Sequence, residues 1–276
     1  MAGRLVCTAH QSSGIRLFDV GSAMVPRFLA AADSPGLARQ CLVLGTWAYV
    51  ADDAYLSIFD VTVPMAPKLR LRVEGLSGTQ SMSAAESLLY IVGSDGLRIL
   101  DVRRPMEPEM VAELPMEAHT MDIALSGKHA YIAARERGLV VVDVSSPELP
   151  REISSLGTDL TSGQMSALAL EGQRLVAQAG GALHLIDIGR PDRPRILHSL
   201  PRPYAPANMQ IQGGIVLSAE GPAGLAVYRI GSPGATATFA PPATQAPAAS
   251  ATPRKTPTPR APLPFRQYLP RVVKWR

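Results

Sequence analysis

The chain has 276 residues, 46% of them hydrophobic, and two cysteines: enough apolar material for a sizeable core, too few cysteines for a disulfide scaffold. Its formal charge of +4 misleads, because residues 231–276 hold seven basic residues and no acid, leaving 20 basic and 23 acidic residues (net −3) in the rest. Such a body lacks the electrostatic footprint of a nucleic-acid binder, and no apolar run reaches the ~18 residues of a membrane span.

From the N-terminus, residues 1–7 carry too short an apolar stretch for a secretory signal and run straight into a hydrophobic strand, Leu5-Val6-Cys7. A second strand, Gly14-Ile15-Arg16-Leu17-Phe18-Asp19-Val20, opens a series. It recurs as Tyr55 to Val61, Gly96 to Val102, Gly138 to Val144, Ala182 to Ile188 and Gly224 to Ile230. The acids fall at Asp19, Asp60, Asp101, Asp143 and Asp187, in steps of 41, 41, 42 and 44 residues, and Arg229 stands in the sixth copy. A period near forty residues with several short strands per copy predicts β-propeller blades.

The fourth copy reads most fully. Asp122-Ile123-Ala124-Leu125-Ser126-Gly127 turns into Lys128 to Ala134, the loop Arg135-Glu136-Arg137 leads to Gly138 to Val144, and Arg151 to Leu156 follows as an edge strand. Paired prolines, such as Pro64 with Pro67 and Pro147 with Pro150, end the third strand and start the outer one. The five recurring aspartates are expected to accept backbone N–H groups one or two residues ahead, as in an Asx turn, and to be scaffold. A catalytic group does not recur at one position in five copies.

The expected fold is therefore all-β: a propeller of about six four-stranded blades over residues 1–230. The first copy lacks an innermost strand and the last an outermost one. We expect this, with the missing leader, to reflect a start upstream of Met1. Residues 231–264, rich in Ala, Pro and Thr, read as a disordered linker, and 265–276 as a short basic-aromatic segment. Cys7 and Cys41 lie one repeat apart at different strand positions and are expected to be buried free thiols, a bridge requiring close geometry.

The repeat resembles the LVIVD repeat family through Gly96-Leu97-Arg98-Ile99-Leu100-Asp101-Val102 with Pro105 and Pro108, through Tyr49-Val50-Ala51-Asp52, and through Asp122 to Gly127. The resemblance implies propellers of bacterial and archaeal cell-surface or secreted proteins and supplies no catalytic residues. The segment Tyr268-Leu269-Pro270-Arg271-Val272-Val273 is similar to the C-terminal ends of secreted proteins of Chloroflexi-like bacteria.

No phosphate loop, HExxH, CxxC or GxSxG motif occurs, and neither a metal nor a cofactor is expected. The candidate ligand site is the mouth of the central channel, entered by Arg39, Gln40, Gln80, His119, Asp122, Gln164 and Asn208. His119 with Asp122 is the pair there suited to acid/base chemistry or a metal. The expected function is a non-enzymatic interaction or scaffold module, extracellular or at the cell surface, recognising protein or polysaccharide and not nucleic acid. The alternatives are a hydrolase or lyase using the channel mouth, and a cytoplasmic propeller adaptor.

Overall fold

A computed structural model describes residues 4–22, 25–53, 55–76, 78–157, 163–201, 208–220, 224–230 and 271–273. Alternating apolar residues, mostly turned at glycine hairpins, make six sheets in chain order, with consecutive strands of each blade antiparallel. The first blade has three strands: Leu5–Ala9 (β1), Ile15–Asp19 (β2) and Arg27–Ala32 (β3). The second runs through Gln40–Leu44 (β4), Trp47–Ala51 (β5), Leu56–Asp60 (β6) and Lys68–Val73 (β7). The third comprises Thr79–Ala85 (β8), Leu88–Gly93 (β9), Gly96–Asp101 (β10) and Glu109–Leu114 (β11). Asp122–Ser126 (β12), His129–Ala133 (β13), Leu139–Asp143 (β14) and Arg151–Leu156 (β15) build the fourth. The fifth holds Met165–Glu171 (β16), Arg174–Ala179 (β17), Ala182–Asp187 (β18) and Arg195–Pro201 (β19). Asn208–Gln212 (β20), Ile215–Ala219 (β21) and Leu225–Arg229 (β22) form a three-stranded sixth. The molecule is a six-bladed β-propeller; among the described residues its first and last blades hold three strands each.

Between each third strand and its outer partner the register slips by one residue, for example between Val141 and Val142 in β14. Several third strands are also entered at a glycine bend. Gly14, Gly96 and Gly138 adopt φ of +64°, +104° and +77°, and a Cβ there would lie 2.2–2.4 Å from the carbonyl oxygens of Ala32, Leu114 and Leu156. Only glycine meets both demands.

The core is divided among the seams between blades. Phe59 and Val50 pack with Ile15 and Leu17 between the first two blades. Leu100 and Met82 pack with Tyr49 and Ile58 at the next seam, and Tyr131, Leu139 and Met165 fill the one between blades four and five. The middle strands of blades two to five are buried on both faces, which is why their sequences read as near-continuous apolar runs.

The structure corrects the cysteine expectation. Cys7 on β1 and Cys41 on β4 are disulfide-bonded with Cα atoms 5.7 Å apart. β1 packs beside β4, the inner strand of the next blade. The linker 231–264 and most of the segment 265–276 lie outside the described residues. Within that segment Arg271–Val273 (β23) pairs in parallel with Leu71–Val73 and adds a fifth strand to the second blade.

Candidate functional site

The channel-mouth residues lie at or just before the innermost strands β4, β8, β12, β16 and β20, and several of them are engaged in hydrogen bonds. Gln40 spans two blades: its Nε2 donates to the Met82 carbonyl at 3.1 Å and its Oε1 accepts the Met82 N–H. Asp122 joins three blades. Oδ1 accepts the Ser81 hydroxyl at 2.7 Å and the N–H of its neighbour Ile123 at 2.9 Å, while Oδ2 accepts the Leu168 N–H at 2.8 Å. Burial holds the Asp122 carboxyl above the usual aspartate range, against the pull of these donors.

Arg39, His119, Gln164 and Asn208 are exposed. Gln80 donates to the nearby Gly78 carbonyl at 3.3 Å, and Gln164 to Glu136 of the preceding blade at 2.7 Å. Both oxygens of Asp122 are committed to partners other than His119. Among the described residues no group of three or more His, Cys, Asp or Glu side chains is placed to hold a metal.

The five repeat aspartates share one geometry. The Oδ1 atoms of Asp19, Asp60, Asp101, Asp143 and Asp187 accept the N–H two residues ahead, from Gly21, Thr62, Arg103, Ser145 and Gly189, at 2.8–3.0 Å. Oδ2 takes an arginine. It is Arg151 at 3.1 Å and Arg195 at 3.0 Å in blades four and five, from the first residue of the outer strand. Where that position holds Lys68 or Glu109, Arg70 at 3.0 Å or Arg103 at 2.7 Å takes over. The Ser145 N–H, with the Ser145 hydroxyl and Arg151, brings the Asp143 carboxyl down to about 2. Hydrogen bonds from Thr62, Arg103 and Gly189 lower those of Asp60, Asp101 and Asp187.

The first blade departs from this. Arg27 and Arg4 stand 3.8 and 4.0 Å from Asp19. Here a groove of about 490 Å³ opens between the turn ends of blades one and two, the two guanidiniums beside an apolar lining that includes Leu5, Leu29, Pro64 and Met65. A volume of that order accommodates a small molecule or a side-chain cluster. The groove escaped the sequence reading because it lies between two turns that look like ordinary repeat turns.

Two further polar positions are buried within single blades. Asp52, fully buried, accepts the Tyr55 N–H at 2.6 Å and the Ser57 hydroxyl at 2.9 Å. His184, inside β18, bonds Ser199 Oγ at 2.8 Å and the Ala179 carbonyl at 3.2 Å, and burial lowers its pKa. Each closes a local hydrogen-bond demand within one blade.

The chain matches the LVIVD repeat over residues 35–74 and 118–158. No curated protein sequence matches it. Among solved structures, a Lactobacillus plantarum protein is similar with TM-score 0.74 at 12% identity, over 87% of this chain and 82% of its own. A functionally unknown Desulfotomaculum acetoxidans protein gives 0.70 at 11% identity, over 86% and 78%. PorZ, a surface component of the Porphyromonas gingivalis type-IX secretion system, gives 0.59 at 18% identity, over 88% of this chain and 32% of its own. Identities this low establish a shared fold.

Proposed function

We propose that this LVIVD-repeat β-propeller is a non-enzymatic interaction module that works outside the cytoplasm, at the cell surface or in secreted form, where its blades recognise protein or polysaccharide. The observation that carries this reading is the Cys7–Cys41 disulfide joining the first two blades. Disulfides form and persist in oxidising compartments and are rare where cytosolic thiols keep cysteines reduced. Beside it, the groove between these blades offers two guanidiniums next to apolar surface, an arrangement suited to an acidic partner with an apolar flank.

The test is protease shaving of intact source cells, combined with alkylation of free thiols before lysis. Release of peptides from residues 5–230, with Cys7 and Cys41 protected from alkylation until reduction, would support the reading. Peptides found only after lysis, with both cysteines alkylated directly, would overturn it and favour a cytoplasmic adaptor.

A further inference from the structure

The outer strand of a blade offers unpaired N–H and C=O groups along its far edge, a template for another strand. In blades one to five this strand carries the same interruption. The register slip drops one residue out of the ladder: Leu29 in β3, Arg70 in β7, Val111 in β11, Ile153 in β15 and Leu197 in β19. Three regular residues follow it each time. Among the described residues a further strand pairs with one of these triplets, Leu71-Arg72-Val73 of blade two, which receives Arg271–Val273 in parallel. The pairing begins at the first residue after the bulge.

Blade two differs from its neighbours at these positions. Arg70 is the only charged residue among the five at the bulge, and it is tied to Asp60 at 3.0 Å. Behind the edge Leu71 and Val73 are fully buried, and the Arg72 guanidinium lies 5.8 Å from the centre of the Tyr55 ring. The matching triplets are Ala30-Ala31-Ala32, Ala112-Glu113-Leu114, Ser154-Ser155-Leu156 and His198-Ser199-Leu200, and each has an exposed middle residue. A strand fixed from behind gives up little freedom when it accepts another. The contact itself is small, three residues in the parallel arrangement, which is slightly the weaker per residue. Nor does a short connection force it. Residues 231–270, forty in number, join Ile230 to Arg271 and span at most about 140 Å when fully extended.

We propose that the outer edge of blade two, beyond its bulge, is a docking site for an extended peptide strand, and that residues 271–273 are its tethered ligand, bound in cis and exchangeable for a free strand of the same sequence. Main-chain pairing supplies the attraction, as in β-strand addition generally. Three parallel residues hold through their tether more than through their own strength. A partner that presents such a strand must displace the tail, so the tail gates the edge. This site is separate from the groove between blades one and two, and it operates in any compartment.

The experiment is hydrogen–deuterium exchange of the full 276-residue, disulfide-bonded chain beside the full-length double variant Val272→Pro with Val273→Pro. Proline removes the N–H groups that the pairing uses. The probe is a synthetic peptide of residues 265–276. In the wild type the amides of 271–273, and the β7 amides pointing away from β6, are expected to exchange slowly at every protein concentration. In the variant those β7 amides are expected to exchange faster, and added peptide to slow them again. Fluorescently labelled peptide is expected to bind the variant at least about tenfold more tightly than the wild type, whose tethered strand competes at an effective concentration of roughly a millimolar. Fast exchange at 271–273 in the wild type, β7 amides untouched by the variant, or a peptide that binds both proteins equally or neither overturns the proposal. Protection that falls on dilution, with a higher mass in concentrated solution, overturns docking in cis and assigns the strand to a second copy.

Discussion

Asp122 and Leu168 stand 46 residues apart in different blades, yet the Asp122 Oδ2 accepts the Leu168 N–H at 2.8 Å. Together with Gln40 on Met82 and Ser81 on Asp122, this makes a hydrogen-bonded belt around the inner strands of blades two to five. Gln40 and Asp122, two of the polar residues that read as a ligand site in the sequence, act as staples between sheets.

Asp122→Ala removes the acceptor and leaves the Ser81 hydroxyl and Leu168 N–H without it. An unsatisfied buried donor costs about 1–3 kcal/mol, so denaturant unfolding is expected to show a loss of at least that order. The ionised carboxylate carries a pH signature as well. Its folded pKa is raised above 3.8, so the folded state holds the proton more tightly than the unfolded state. The contribution of this group is therefore most favourable below pH 3.8 and falls as pH rises through the raised value. Asp122→Asn is expected to lack that fall, which unfolding curves of both proteins across acidic pH would reveal.

Asp143 has the opposite sign. Its folded pKa is lowered from 3.8 to about 2, so its contribution is complete above pH 3.8 and disappears as pH falls through about 2. In Asp143→Asn the side-chain oxygen can still accept from Ser145, but the charge facing Arg151 is gone. The stability difference between wild type and this variant is expected at neutral pH and expected to vanish near pH 2 in an acid-unfolding series.

Reducing the disulfide, or replacing both cysteines by serine, releases a constraint spanning 34 residues. Chain-entropy arguments put that constraint at about 4 kcal/mol, within the usual range of about 2–5. Reductant is expected to lower the melting temperature of the wild type and leave the double variant unchanged. A thiol reagent is expected to label the native protein only after reduction.

Two glycines separate backbone strain from steric conflict. Gly138→Ala would place Cβ 2.2 Å from the Leu156 carbonyl oxygen at φ +77°, and is expected to cost about 3–5 kcal/mol. Gly127, at φ +56° in the β12–β13 hairpin, has nothing within 4 Å of a Cβ. Gly127→Ala is expected to cost only the left-handed backbone penalty of about 1–2 kcal/mol. Thermal melts of the two variants would distinguish these effects.

The features legible in the sequence are those encoded within a few residues. Strand alternation, hairpin glycines and paired prolines all act locally, and each is repeated, so one copy checks another. The aspartate turns belong with them: Asp60 reaches only as far as the Thr62 N–H.

What tertiary structure alone decided involves residues distant in the chain. The pairing of Cys7 with Cys41 depends on β1 packing beside β4, which no local pattern states. Gln40 and Asp122 look like any polar residues entering a strand, and only the neighbouring blade turns them from candidate ligands into staples. The parallel docking of Arg271–Val273 on β7 joins strands almost two hundred residues apart by backbone hydrogen bonds, which leave no side-chain signature to read. Periodicity reports which face of a strand is apolar; whether another sheet covers that face, as at Phe59 but not at Val227, is set by the arrangement of the blades.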